Sequence, residues 1–308
     1  MRILVLGAGA VGGYFGGRLA EAGRDVTFLV RPARAALLVE KGLVVASLLG
    51  DFTVTPQLAT AETLRGTYDL ILLTAKHYDL DQAIEAIRPA VGAQTAVLPL
   101  LNGLVHLDRL SAAFGDEAIL GGVAYVGASL RPDGSINHHN RLSGIAFGER
   151  KGGVSARTEA IAAQFADSKV SAPPSENVML DMWEKFGMIT TMAGMNCLMR
   201  GTIGDIAATE DGASLMLDLF AETQAVAAAA GYPARQAYCD NIAKMLTEKG
   251  SPNNASMHHD LAQGSRTEGE YIIGDMRRRA AALGVPTPLL RAAWAHLQVY
   301  ENRRAAGR

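Results

Sequence analysis

The sequence predicts an α/β domain built around a parallel sheet, followed by an all-helical domain. Two observations carry this reading. In the first half, short apolar, β-branched runs alternate with helix-patterned stretches, as strands joined by crossover helices do. Beyond Pro173-Pro174 the apolar spacing is helical almost throughout.

Taken in order, strands are expected at Ile3–Leu6, Val26–Val30, Leu70–Leu73 and Ala96–Leu98, with helices at Val11–Ala22, Arg34–Glu40 and Leu80–Ile87. Strands this short and continuously apolar suit a sheet covered on both faces. Ala118–Val126, Ser135–His138 and Ile145–Gly148 read as further strands, with Arg131-Pro132-Asp133-Gly134 as a turn. They are expected to extend the same sheet with antiparallel members. The residue before a proline is driven out of the helical region, so Pro173-Pro174 is read as the boundary between domains 1–172 and 173–308. Helices are then expected over Asn177–Leu198, Ser214–Ala230, Arg235–Leu246, Thr267–Ala282 and Leu289–Tyr300, with Gly231, Gly250 and Gly284 as stops.

Composition narrows the function classes. The 308 residues include 29 basic and 31 acidic ones, a net charge of -2, which argues against broad capture of nucleic acid or of an anionic membrane. No run approaches the ~20 apolar residues of a membrane span. The apolar start is interrupted by Gly7, Gly9, Gly12, Gly13, Gly16 and Gly17, so it is read as structure and not as a signal peptide. Cys197 and Cys239 stand alone, with neither metal nor redox spacing, and a reduced, cytoplasmic setting is expected. His138-His139 and His258-His259 point neighbouring rings to different faces with no third ligand at useful spacing, so no metal is expected.

The strongest local signal is Gly7-Ala8-Gly9-Ala10-Val11-Gly12, between a strand and a helix. Gly7 permits the tight turn, Gly9 lets the backbone approach a diphosphate, and Gly12 lets the helix pack closely on the strand. The helix N-terminus, at Ala10 and Val11, then turns its N–H groups and positive dipole end to the phosphates. The turn therefore reads as a Rossmann-type dinucleotide site. An acid at the end of the second strand would take the ribose 2′-hydroxyl of NADH. That strand runs instead into Arg31-Pro32-Ala33-Arg34. Arg31, 19 residues after Gly12, suits a 2′-phosphate with its planar fork, and NADPH is the expected cofactor. Whether Arg34 assists is left open.

Further short segments occur in a specific order: Leu73-Thr74-Ala75-Lys76, Leu101-Asn102-Gly103, Trp183-Glu184-Lys185, Thr202-Ile203-Gly204-Asp205, Ser256-Met257 with Asp260, Arg266-Thr267-Glu268, and Leu283-Gly284-Val285-Pro286-Thr287-Pro288. With the glycine turn, their order and spacing resemble the ketopantoate reductase (2-dehydropantoate 2-reductase) family along nearly the whole chain. The resemblance implies NADPH-dependent reduction of a 2-oxo acid, as in ketopantoate to pantoate for pantothenate biosynthesis. It further implies that Lys185 is the proton donor and Glu268 an active-site glutamate. Asn102 would lie near nicotinamide and substrate, Ser256 would hold substrate, and Lys76 would lie beside the cofactor. The chemistry fits the residue types. Hydride attack builds negative charge on the ketone oxygen, and a partly desolvated ammonium can stabilise that charge and release its proton.

The chain departs from the family at three positions. Asparagines usual four and eight residues after the lysine, and five after the glutamate, are here Ile189, Ala193 and Ile273. Asn196 returns to the face of Lys185, but ~16 Å along the helix, too far to replace them. Loss of amide hydrogen bonds should change substrate selectivity. A more apolar 2-oxo acid is therefore an alternative substrate. Reduction of an imine, or non-catalytic NADPH sensing, are further alternatives. The expected partner is a small molecule, and a homodimer stays open.

Overall fold

A computed structural model of the protein describes residues 1–307. The chain divides into two compact units. One comprises Met1–Leu101 with His106–Met179, the other Asn102–Val105 with the chain from Leu180 onward.

The first unit begins with β1 (Arg2–Leu6), α1 (Ala10–Glu21), β2 (Asp25–Leu29), α2 (Pro32–Lys41), β3 (Leu43–Ser47), β4 (Phe52–Val54), β5 (Gln57–Ala59) and β6 (Leu70–Leu73). It continues with α3 (Leu80–Ile87), β7 (Ala96–Pro99), α4 (Val105–Phe114), β8 (Gly121–Leu130), β9 (Ile136–Gly148) and α5 (Ala156–Gln164). Five strands form a parallel sheet in the order β5-β2-β1-β6-β7. Ile3, Val5, Phe28, Leu70, Leu72 and Leu98 fill its core.

The later strands do not extend that sheet as expected. Ile119 makes one parallel bridge to Val97, and then the chain leaves. β8 and β9 join β3 and β4, which the sequence reading missed, in a separate sheet of order β4-β3-β9-β8. The physical reason is α1, which lies between the two sheets. Its Gly16 faces Val5 and Phe28 of the first sheet, and its Gly13 and Gly17 face Ile136, Leu43 and Phe52 of the second. A helix that is apolar on both sides needs two covers.

The boundary between the units falls after Met179, later than the proline pair. Residues 171–175 still run along β9: Ser171 N donates to Ser143 O (2.9 Å) and Ser175 N to Phe147 O (2.7 Å). Proline forbids a helix there but not pairing along a strand edge.

The second unit holds α6 (Val178–Met199), α7 (Ile203–Ala207), α8 (Gly212–Ala229), α9 (Gln236–Leu246), α10 (Ser256–Ala262), α11 (Asp275–Ala282) and α12 (Pro288–Ala305). The single helix expected over Thr267–Ala282 instead starts as a π-helix, Glu270–Gly274, which runs into α11. In α6, Trp183, Phe186, Ala193 and Met195 are buried. At Gly194 the helix approaches Leu219 of α8, Ala293 of α12 and Ile273 of the π-helix, where a side chain would crowd them. Glu184 is buried and accepts bonds from Arg235 N (2.8 Å) and Nε (2.9 Å), which ties α6 to the start of α9. Bonds to a buried carboxylate are worth about 1.5–3 kcal/mol each when one partner is charged. Glu184→Gln is therefore expected to lower unfolding free energy by about 2 kcal/mol in urea titration, with little change in the denaturant slope.

Candidate active site

In the first unit the candidate residues gather at the carboxyl ends of adjacent parallel strands. Gly7 follows β1, Arg31 follows β2 and Lys76 lies just past β6. This is where the strand order reverses direction about β1, the usual place for a ligand crevice in an open α/β sheet. Gly7 takes φ +92°, a conformation costly for any side chain, and its N–H donates to Leu29 O (2.9 Å). A Cβ on Gly12 would collide with Gly7 O and with Thr74 Oγ1, whose hydroxyl donates to Leu6 O (2.8 Å). The helix start is thereby held against the strand end.

The surroundings of this turn fit a diphosphate. Gly9 is the N-cap of α1, and it faces open space within 4 Å of where a Cβ would stand. No side chain caps the helix beginning at Ala10 and Val11, and no acidic residue lies in its first turn. An anion would meet backbone N–H groups and a positive helix end with nothing negative in the way.

The two arginines after β2 behave differently. Arg31 is largely exposed, and its Nη2 lies 3.3 Å from Asp79 Oδ2. Arg34 turns inward. Its Nε (3.2 Å) and Nη2 (2.8 Å) donate to Ala8 O, and its Nη1 donates to Gly134 O (2.9 Å). Burial lowers its pKa from the ordinary arginine value. Arg34 thus braces the glycine turn against the β8–β9 hairpin. Lys76 is exposed and precedes a 3-10 turn, His77–Asp79, whose first residue is buried.

In the second unit, the segments that carry Asn102, Lys185 and Glu268 meet. Gly103 takes φ +81°, and a Cβ there would stand 3.3 Å from Tyr271 O and 3.5 Å from the Phe186 ring. Phe186 follows Lys185 directly, and Tyr271 is one turn past Glu268. Close approach at one glycine thus draws the Asn102 corner against both elements. Lys185 is only partly accessible, and desolvation lowers its ammonium pKa from 10.5 to about 8. Glu268 is 8 % exposed, and its carbonyl accepts from Tyr271 N (3.0 Å) and Ile272 N (3.1 Å) as the π-helix begins. Such expanded turns recur at functional sites.

Ser256 is placed differently. It is the exposed first residue of α10, and Ala255 N before it donates to Asn196 Oδ1 (3.0 Å). Asn196 Nδ2 donates to Gly201 O (2.8 Å), so this buried amide serves as a bracket between helices. The anchor of Ser256 therefore lies ~16 Å along α6 from Lys185. Of the three apolar replacements, Ile273 and Ala193 are buried, with Ile273 directed to the core at Gly194, whereas Ile189 is partly exposed.

Sequence reasoning missed Asp79, the bracing by Arg34 and the bracket at Asn196. The first two come from contacts between residues 26 to 100 positions apart, which no local pattern reveals. Among the described residues no group of three or more His, Cys, Asp or Glu side chains converges as a metal site, and no helix is long and apolar enough to cross a membrane.

Comparison with known proteins shows the family of the chain. Residues 3–152 match the family described as ketopantoate reductase PanE/ApbA, and residues 177–301 match its C-terminal counterpart. An uncharacterised oxidoreductase of Bacillus subtilis, YkpB, is 36% identical over 99% of this chain and 100% of its own length. A 2-dehydropantoate 2-reductase of Streptococcus pyogenes is 30% identical over 94% of this chain and 95% of its own. A crystal structure of a PanE/ApbA family ketopantoate reductase from Ralstonia eutropha superposes with a TM-score of 0.89 at 27% identity, covering 99% of this chain and 100% of that one.

The lowered Lys185 pKa has a direct thermodynamic consequence. The unfolded lysine keeps its proton to about 10.5 and the folded one only to about 8. Between these values the unfolded chain binds more protons, so this residue makes stability rise with pH across that window. Urea titrations of the wild type and Lys185→Met at pH 8 and pH 10 should show the wild type gaining relative to the variant.

Proposed function

The chain belongs to the ketopantoate reductase family, and we propose that it uses NADPH to reduce the ketone of a 2-oxo acid to a 2-hydroxy acid. Ketopantoate to pantoate, a step of pantothenate biosynthesis, is the reaction that the names of its relatives suggest. The observation that carries the proposal is Lys185, an ammonium whose pKa burial lowers to about 8, beside the segments of Asn102 and Glu268. The two unpaired cysteines are compatible with a cytoplasmic setting.

NADPH, when bound, supplies the hydride. Gly7, Gly9, Ala10, Val11 and Gly12 would hold its diphosphate through backbone N–H groups, Arg31 would meet the 2′-phosphate, and Lys76 would lie beside the cofactor. Lys185 would donate a hydrogen bond to the substrate carbonyl oxygen, stabilise the negative charge that develops there and release its proton to it. A pKa near 8 leaves Lys185 charged at neutral pH yet ready to lose that proton. Glu268 would orient the ammonium or a substrate hydroxyl. Asn102 would hold nicotinamide or substrate as an uncharged donor that is cheaper to desolvate than an ion. Ser256 would bind the substrate from the start of α10.

A second reading concerns the substrate. Ile189 is a partly exposed apolar group one turn after Lys185, where the family resemblance places an amide. This favours a 2-oxo acid with an apolar side chain over hydroxylated ketopantoate.

NADPH oxidation across a panel of 2-oxo acids tests both readings. A branched apolar 2-oxo acid should give a larger kcat/KM than ketopantoate, and the reverse order would return the assignment to ketopantoate. Lys185→Ala should lower kcat by at least ~10²-fold with NADPH affinity little changed. Because the donor must be protonated, kcat for reduction should fall as pH rises through about 8. Failure of every 2-oxo acid, alongside tight NADPH binding, would remove the catalytic assignment.

A further inference from the structure

The acid absent from the end of β2 is present in space. Asp79 comes from the crossover after β6, 48 residues from Arg31, yet its Oδ2 lies 3.3 Å from Arg31 Nη2. The carboxylate sits on a well-anchored turn. Asp79 N donates to Lys76 O (2.9 Å), and the turn begins with buried His77, whose ring packs edge-on against buried His106 at 5.5 Å. Arg34 does not compete for this carboxylate, because its donors engage Ala8 O and Gly134 O. Arg31 and Asp79 are therefore a solvent-facing pair of opposite charges, with side chains 74% and 38% exposed.

We propose that Asp79 is a specificity-determining residue that narrows the preference for NADPH over NADH. The inference rests on the reading above, in which Arg31 faces the 2′-position of the adenosine ribose. A 2′-phosphate brings about two negative charges. It must share or displace the Asp79 carboxylate to reach the guanidinium, and it meets repulsion from that carboxylate. A 2′-hydroxyl has the opposite relation to Asp79, because it can donate a hydrogen bond to it, as to the acid that follows the second strand in NAD-binding folds. One carboxylate thus opposes the phosphorylated cofactor and favours the other. The effect is modest because both side chains reach solvent, where exposed charge pairs interact weakly.

The test is equilibrium binding, separate from turnover. Dissociation constants for NADPH and NADH are measured by calorimetry for the wild type, Asp79→Asn, Asp79→Ala and Arg31→Ala, at about 20 mM and about 300 mM salt, which changes the screening length several-fold. The ratio of the NADH to the NADPH constant should rise about three- to tenfold in both Asp79 variants at low salt, with a smaller gain at high salt. Arg31→Ala should lower the ratio. If Arg31→Ala lowers it while both Asp79 variants leave it unchanged or reduce it, the role of Asp79 is overturned and that of Arg31 stands. If Arg31→Ala leaves it unchanged, the reading of position 31 fails, and the inference with it.

Discussion

The architecture of the first unit depends on how close a helix can come to two sheets at once. In α1 the side chains that would hold the layers apart are missing on both sides. A Cβ on Gly16 would stand 2.7 Å from the Phe28 ring and 2.9 Å from Val5, and one on Gly17 about 3.0 Å from the Phe52 ring. Interiors are packed to near-crystalline density, so a helix with such faces has room only between two apolar surfaces. This explains why β8 and β9 leave the first sheet. It also fixes the N-terminus of α1 at the carboxyl end of β1, with the glycine turn between them.

The second unit solves a different problem, the placing of a cation out of water. Desolvation lowers the Lys185 pKa, so the fold holds an ammonium where burial disfavours charge. α6 carries this burden through packing elsewhere: Phe186 and Trp183 are buried on either side in sequence, and Glu184 is tied to Arg235. The π-helix after Glu268 adds to the pattern, since a widened turn is less regular than the α-helix it interrupts. Departures from regular packing of this kind concentrate where a fold serves chemistry rather than stability.

Much of this was legible in the sequence, for physical reasons. The parallel sheet announces itself through short apolar runs, and the glycine turn through a spacing that few other structures require. The order of family segments pointed to Lys185, Glu268 and Asn102. The second sheet was less legible. Phe52–Val54 is only three residues long, and Leu43–Ser47, set off from α2 by the single residue Gly42, has no apolar–polar alternation, so neither shows strand periodicity. The proline pair suggested an earlier boundary because proline forbids helix, yet the chain there lies along β9. The π-helix was invisible because its composition is that of an ordinary helix. The partnership of Arg31 with Asp79 exists only once β2 and β6 flank β1.

Arg31 and Arg34 look alike in sequence, three positions apart in one corner. One guanidinium stands in solvent and the other is fastened to main-chain oxygens of the glycine turn and a distant hairpin. An engineer who grafted this corner as a cassette from another protein would remove the fastening along with the exposed group, and the turn would loosen whatever was installed at position 31. Redesign here has to proceed by point replacement.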